Sequence, residues 1–103
     1  MQKYPVRPSH RANLAIDRLE EICRTDFGSA EKAEGRVRAR FGAISSLAAW
    51  GEGRELAVEL TMDPKVDPTV AGETIRRYNR FLEEATGYTS KERAKRLRKS
   101  AGE

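Results

Sequence analysis

The sequence has one cysteine and one histidine in 103 residues. A lone Cys23 excludes an intramolecular disulfide and any thiolate-rich zinc or iron–sulfur site. A lone His10 excludes the paired imidazoles that most catalytic metals use. No apolar run approaches the roughly 18 residues that cross a bilayer, and the opening MQKYPVRPSH lacks the apolar stretch of a secretory signal. A cytoplasmic protein with no membrane partner is therefore expected. The chain also lacks a Walker-type phosphate loop, since the GEG after Trp50 is not followed by lysine. With aromatics at 7%, stacking platforms for single-stranded nucleic acid are scarce.

What is present suits one small globular domain, with 38% hydrophobic and 35% charged residues arranged in periodic runs. QKYPV reads as a short edge strand, because Pro5 removes a backbone donor. Ala12, Ala15, Ile16, Leu19, Ile22 and Cys23 recur at helical spacing, which predicts a helix over 9–26 with Ser9 as N-cap and Gly28 beyond its end. SAEKAEG reads as a polar connector. RVRARF alternates, with Val37, Ala39 and Phe41 inward and Arg36, Arg38 and Arg40 outward. ISSLAAW and ELAVELTM complete a meander across the GEG turn, the last strand placing Leu56, Val58, Leu60 and Met62 inward. Asp67–Pro68 opens a second helix whose buried line is Ala71, Ile75, Tyr78, Leu82 and Ala85, flanked by Val70 and Phe81. Gly87 ends it. Thr89 to Glu92 forms a capping box that starts a third helix. The expected fold is a single α+β domain in the order β-α-β-β-β-α-α, with helices on one face of an antiparallel meander. Residues 1–87 form its body and 88–103 a basic terminal helix of the same domain.

Charge is partitioned along the chain. Residues 1–85 hold fourteen basic and fourteen acidic side chains, whereas the last eighteen residues hold six and two, so the net charge of +4 lies in TGYTSKERAKRLRKSAGE. On a helical wheel Ala94, Leu97 and Ala101 make a narrow apolar stripe, and Lys91, Lys95, Arg98 and Lys99, extended by Arg93 and Arg96, cover a contiguous arc on another side. Such a surface fits phosphate neutralisation without base readout; a solvated helix end that suits the dipole is the plainer alternative. Arg76, Arg77 and Arg80 project away from the second helix's apolar line and are candidate support. The strand arginines are expected to form an exposed ion-pair network with Glu55 and Glu59 across the Ser45–Ala49 row. That face is expected to lack aromatics, with Trp50, Tyr4 and Tyr88 assigned to the core or an interface rim.

Catalytic candidates are thin. His10 reads as a surface residue at a helix start, and Cys23 as a small buried hydrophobe. Asp63, Asp67 and Glu73 are acidic enough for a hard cation, but turn and capping duties account for the first two. No catalytic, metal-binding or cofactor-binding residue is assigned.

Two segments, ETIRRYNRFLEEATGYTSKERAKRLRK (73–99) and FGAISSLAAW (41–50), resemble a family of short uncharacterised archaeal proteins. In these, an RRYN-FLEEATG helix precedes YT-KER-KR, and a YGAL…W segment lies upstream; DPKVDP resembles the family's acidic loop. The resemblance implies a compact α+β domain and treats the second helix, Gly87 and the third helix as one unit. It carries over no catalytic residue.

The expected function is non-enzymatic binding. The first reading is association with an RNA or DNA backbone through Lys91, Arg93, Lys95, Arg96, Arg98 and Lys99, supported by Arg76 and Arg80. The second is a homodimeric interaction module using Ala94, Leu97 and Ala101. Neither reading includes a small-molecule substrate or cofactor.

Overall fold

The computed structural model of the chain describes the backbone from Gln2 to Ala101 and side chains from Gln2 to Arg96. Nine elements follow one another: β1 (Gln2–Pro5), a 3₁₀ segment (Pro8–Leu14), α1 (Ile16–Phe27), β2 (Glu31–Ala33), β3 (Arg36–Phe41), β4 (Ile44–Glu52), β5 (Glu55–Met62), α2 (Pro68–Thr86) and α3 (Ser90–Ala101). The strands form one antiparallel sheet in the order β1-β5-β4-β3-β2. The α+β class and the meander are as expected. The sheet has five strands rather than four, because the connector SAEKAEG contains β2. Three residues are too short to show a period of two. The strand is set by its turn, in which Glu34 and Gly35 both take positive φ (55° and 77°), the pair of left-handed residues that a tight hairpin requires.

The first helix also departs from expectation. It splits at Ala15, which is extended (φ −63°, ψ 137°), and Pro8–Leu14 winds as a 3₁₀ segment with no side-chain cap from Ser9. Two tertiary contacts explain the break. Leu14 lies directly against Gly51 of β4, where an added Cβ would come within 2.9 Å of its backbone oxygen, and Asn13 donates to the Glu84 carbonyl of α2 at 3.1 Å. The chain turns there to serve both partners, leaving Ala12 and Ala15 outside the buried core.

The core lies between the sheet and α1 and α2, built from Leu19, Ile22, Phe27, Val37, Leu47, Leu56, Val58, Phe81 and Leu82 with smaller neighbours. Phe27 links Phe41 and Phe81, with ring centroids 6.1 and 5.4 Å away. On α2 the buried line runs through Thr74, Phe81, Leu82 and Ala85. Thr74 accepts the Ala43 backbone N–H at 2.9 Å, so helix and sheet meet through a polar contact there. Ile75, expected inside, is 53% exposed. Leu60 and Met62, also expected inside, are 38% and 40% exposed. β1 pairs with β5 only over Glu55–Val58, so the outer edge of β5 from Glu59 onward has no strand partner among the described residues.

Candidate nucleic-acid interface

The junction of α2 and α3 is built on two signals read from the sequence. Gly87 closes α2 in the left-handed conformation (φ 80°). The capping box then starts α3, with Thr89 N donating to Glu92 Oε1 at 3.1 Å and Glu92 N to Thr89 Oγ1 at 3.2 Å. Those hydrogen bonds, backbone first, and the Arg7 guanidinium beside it hold the Glu92 carboxyl below its ordinary range. The α2 C-terminus has no basic residue in its own last turn. Two arginines from elsewhere supply the charge that its carbonyl end favours. Arg7 donates Nε to Gly87 O at 2.7 Å and pairs with Glu92 at 2.7 Å. Arg93 donates to Tyr88 O at 2.6 Å and to Asn79 Oδ1 at 3.2 Å. Asn79 lies about two turns back along α2, so α3 folds back beside it.

Arg93 is therefore a structural residue, which corrects its assignment to the binding surface. It is 4% exposed, and burial lowers its pKa from the ordinary arginine value. Arg76 stays exposed and is partly neutralised. Glu73 binds it at 3.0 Å and Arg77 at 3.3 Å, and the two hydrogen bonds lower the Glu73 pKa. Arg80 is exposed and has no carboxylate within 4 Å among the described residues, but it shares the outer face of α2 with exposed Glu83 and Glu84. Lys91, Lys95 and Arg96 are all exposed and likewise have no such partner among the described residues. Arg96 places its guanidinium carbon 4.2 Å from the Tyr88 ring centroid and Arg7 places its own at 4.5 Å. One buried ring thus gathers two cations from opposite ends of the sequence. Ala94 is exposed. The side chains of Leu97, Arg98, Lys99 and Ala101 lie outside the described residues.

The open face of the sheet differs from expectation in two respects. Lys3 and Glu52 form a separate pair at 3.1 Å and Arg38 turns to Glu34 at 3.9 Å, so that among the described residues only the Arg36–Glu59 bridge, at 3.7 Å, remains of the expected network. That bridge does not cross the Ser45–Ala49 row, because Ala49 is buried; Ala48 and Trp50 flank it in the register. Trp50 belongs to this face, with the Arg36 guanidinium carbon 4.1 Å from its ring centroid. A register shift between Ile44 and Ser46 breaks the simple parity along β4.

Two further ionisable groups are buried. Cys23 is fully buried, and burial, reinforced by Asp26 and Glu20, pushes its thiol up to about 12, far from a reactive thiolate. Asp26 is 1% exposed and neither carboxylate oxygen has a hydrogen-bond partner among the described residues. Its pKa is pushed up to about 6, first by burial and then by the Glu84 carboxylate, against the pull of Arg80 and Arg77. Among the described residues no three His, Cys, Asp or Glu side chains converge as metal ligands, and no helix is long and apolar enough to cross a membrane.

These features define a small α+β protein with one helix-covered sheet face and a cationic terminal helix locked to the body through Arg93. The chain belongs to the family described as "Domain of unknown function (DUF5611)", whose model matches residues 1–99. The fold is similar to the NMR solution structure of a hypothetical protein, TA0095, from the archaeon Thermoplasma acidophilum. The two chains are 26% identical, with a TM-score of 0.68 over 94% of this chain and 97% of the other. No curated protein matches the chain.

Proposed function

We propose that the protein is a cytoplasmic, non-enzymatic binder of nucleic-acid backbone, RNA or DNA, through the first turns of α3. The observation that carries this reading is the set of exposed cations, Lys91, Lys95 and Arg96, with no carboxylate within 4 Å among the described residues. Arg7 adds a fourth, partly neutralised by Glu92. Cations left to water recruit phosphates and release their counterions, giving affinity with little sequence preference. The mode is backbone contact rather than base stacking, because Tyr88 is buried beneath two guanidiniums. Low-salt titration of 15N-labelled protein with a short duplex and with single-stranded RNA tests it. Saturable amide shifts centred on 90–96, absent from a K91E/K95E/R96E variant, are expected. Shifts that ignore the charge reversal overturn it.

A second reading, a homodimer, draws on a different surface from the one expected. Leu60, Met62 and Ile75 are exposed apolar side chains, and the β5 edge beyond Val58 is unpaired among the described residues. Strand edges of this kind join copies. Sedimentation at high micromolar concentration, with L60D as the interface variant, distinguishes a dimer from a monomer.

A further inference from the structure

A cavity of about 310 Å³ opens at the other end of the sheet, lined by Ser29, Ala30, Glu31, Arg38, Ala39, Arg40, Ser46 and Leu47. β2 pairs only with Arg36–Arg38, so the outer edge of β3 is bare from Ala39 onward among the described residues. On its other side β3 shifts register against β4 between Ala39 and Phe41. Arg40 therefore has no Cα partner on either side. The extra residue lies on β4, where Ser45 and Ser46 both stand against Arg40, and bulges of this sort concentrate beside binding sites.

The chemistry of the lining is selective. Arg40 has no carboxylate within 4 Å among the described residues, and Arg38 reaches only the exposed Glu34, at 3.9 Å. Ser29 and Ser46 add two hydroxyls, while Ala39 and Leu47 turn their side chains to the core face of the sheet, opposite Arg38 and Arg40, so that strand backbone forms the floor. We propose that this notch binds a phosphomonoester carried on a small organic group. Two guanidiniums and two hydroxyls exceed what the two oxygens of a carboxylate use, whereas a phosphomonoester brings three acceptor oxygens and nearly two charges. The volume lies at the small end of ligand pockets, about 300–1,000 Å³, which fits a mononucleotide rather than a protein segment. Glu31 opposes the anion from the rim, so binding is weaker than the arginines alone would give.

The site shares no residue with α3 and stands apart from the backbone-binding surface. Its test is a 15N titration of the full chain with inorganic phosphate, adenosine 5′-monophosphate and adenosine. Both phosphates should shift the amides of Ser29, Ala39, Arg40 and Ser46 saturably, and adenosine should not. Arg40→Gln should weaken binding about tenfold or more, the cost of removing a charge-assisted hydrogen bond; Ser46→Ala should weaken it several-fold and Glu31→Gln tighten it. Unchanged amide dispersion shows that each variant folds. A 5′-phosphorylated oligonucleotide that fills the notch more tightly than the mononucleotide assigns it to strand ends; the reverse order assigns it to free mononucleotides. The proposal fails if no shift saturates, if adenosine matches its monophosphate, or if Arg40→Gln and Ser46→Ala both bind as the parent does.

Discussion

Arg93 carries its charge into the interior, where Tyr88 O and Asn79 Oδ1 receive it. Truncating it leaves the buried Tyr88 carbonyl and the half-buried Asn79 amide without this donor, at a cost of about 1–3 kcal/mol. Arg93→Ala should therefore lower the urea midpoint substantially, while Lys95→Ala leaves it unchanged within error. Equal effects would contradict the division of α3 into structural and free cations. Composition hides this division, because the basic residues of one segment look alike. The capping box holds the signal that separates them. With Thr89 as N-cap, Tyr88 and Arg93 stand at N′ and N4, neighbouring positions at a helix start, and here the arginine reaches the Tyr88 carbonyl rather than its ring. Asp26 makes the opposite case, a buried acid whose ionised oxygens meet no donor among the described residues and whose protonated form can hydrogen-bond to Glu84. Its folded pKa of about 6 lies above the ordinary 3.8, so the folded state takes up a proton that the unfolded chain does not. Stability should rise as pH falls from about 7.5 to 5, by about 1–2 kcal/mol from this group. Asp26→Asn should raise stability at pH 7.5 and flatten that rise in denaturation curves. A parent stability that is level or falling over this interval would contradict the assignment.

At the scale of elements, the sequence is legible wherever a local signal coincides with burial. Asp67 caps α2 through Thr69 N at 2.8 Å, Gly87 ends it and the capping box opens α3, all in line with the local pattern. Elements escape the sequence where tertiary contact overrides local preference. The 3₁₀ segment breaks a continuous helical pattern to reach Gly51 and Glu84, and β2 is fixed by a two-residue turn rather than by alternation. The apolar line of α2 is rotated so that Thr74 faces Ala43 and Ile75 faces outward, a choice no periodicity encodes. Gly87 is the most constrained of these junctions. Its φ is positive, and an added Cβ would lie 2.7 Å from His10 Nδ1 and 2.9 Å from Arg7 Cδ. Gly87→Ala should cost about 1–3 kcal/mol through left-handed strain and displacement of Arg7. Thermal melts that match the parent would show that the turn is not under this constraint.

For the whole molecule, the balance of charge is what the linear sequence conveys best and the fold refines. Fourteen cations and fourteen acids cancel over residues 1–85, and in space several of them pair: Arg36 with Glu59, Lys3 with Glu52, Arg76 and Arg77 with Glu73. With Arg93 removed from the expected interface and Arg76 partly neutralised by Glu73, Lys91, Lys95 and Arg96 remain as its centre. The proposed surface is thus legible as a segment but not as a set of atoms, since pairing and burial are properties of three dimensions. The central claim is that these cations meet phosphates directly, and the most direct test is the salt dependence of binding to a duplex. The parent's log affinity should fall with log salt, and replacing all three residues with alanine should reduce that slope by roughly 2–3, near 0.9 for each phosphate no longer neutralised. A slope that the triple variant leaves unchanged would contradict the claim.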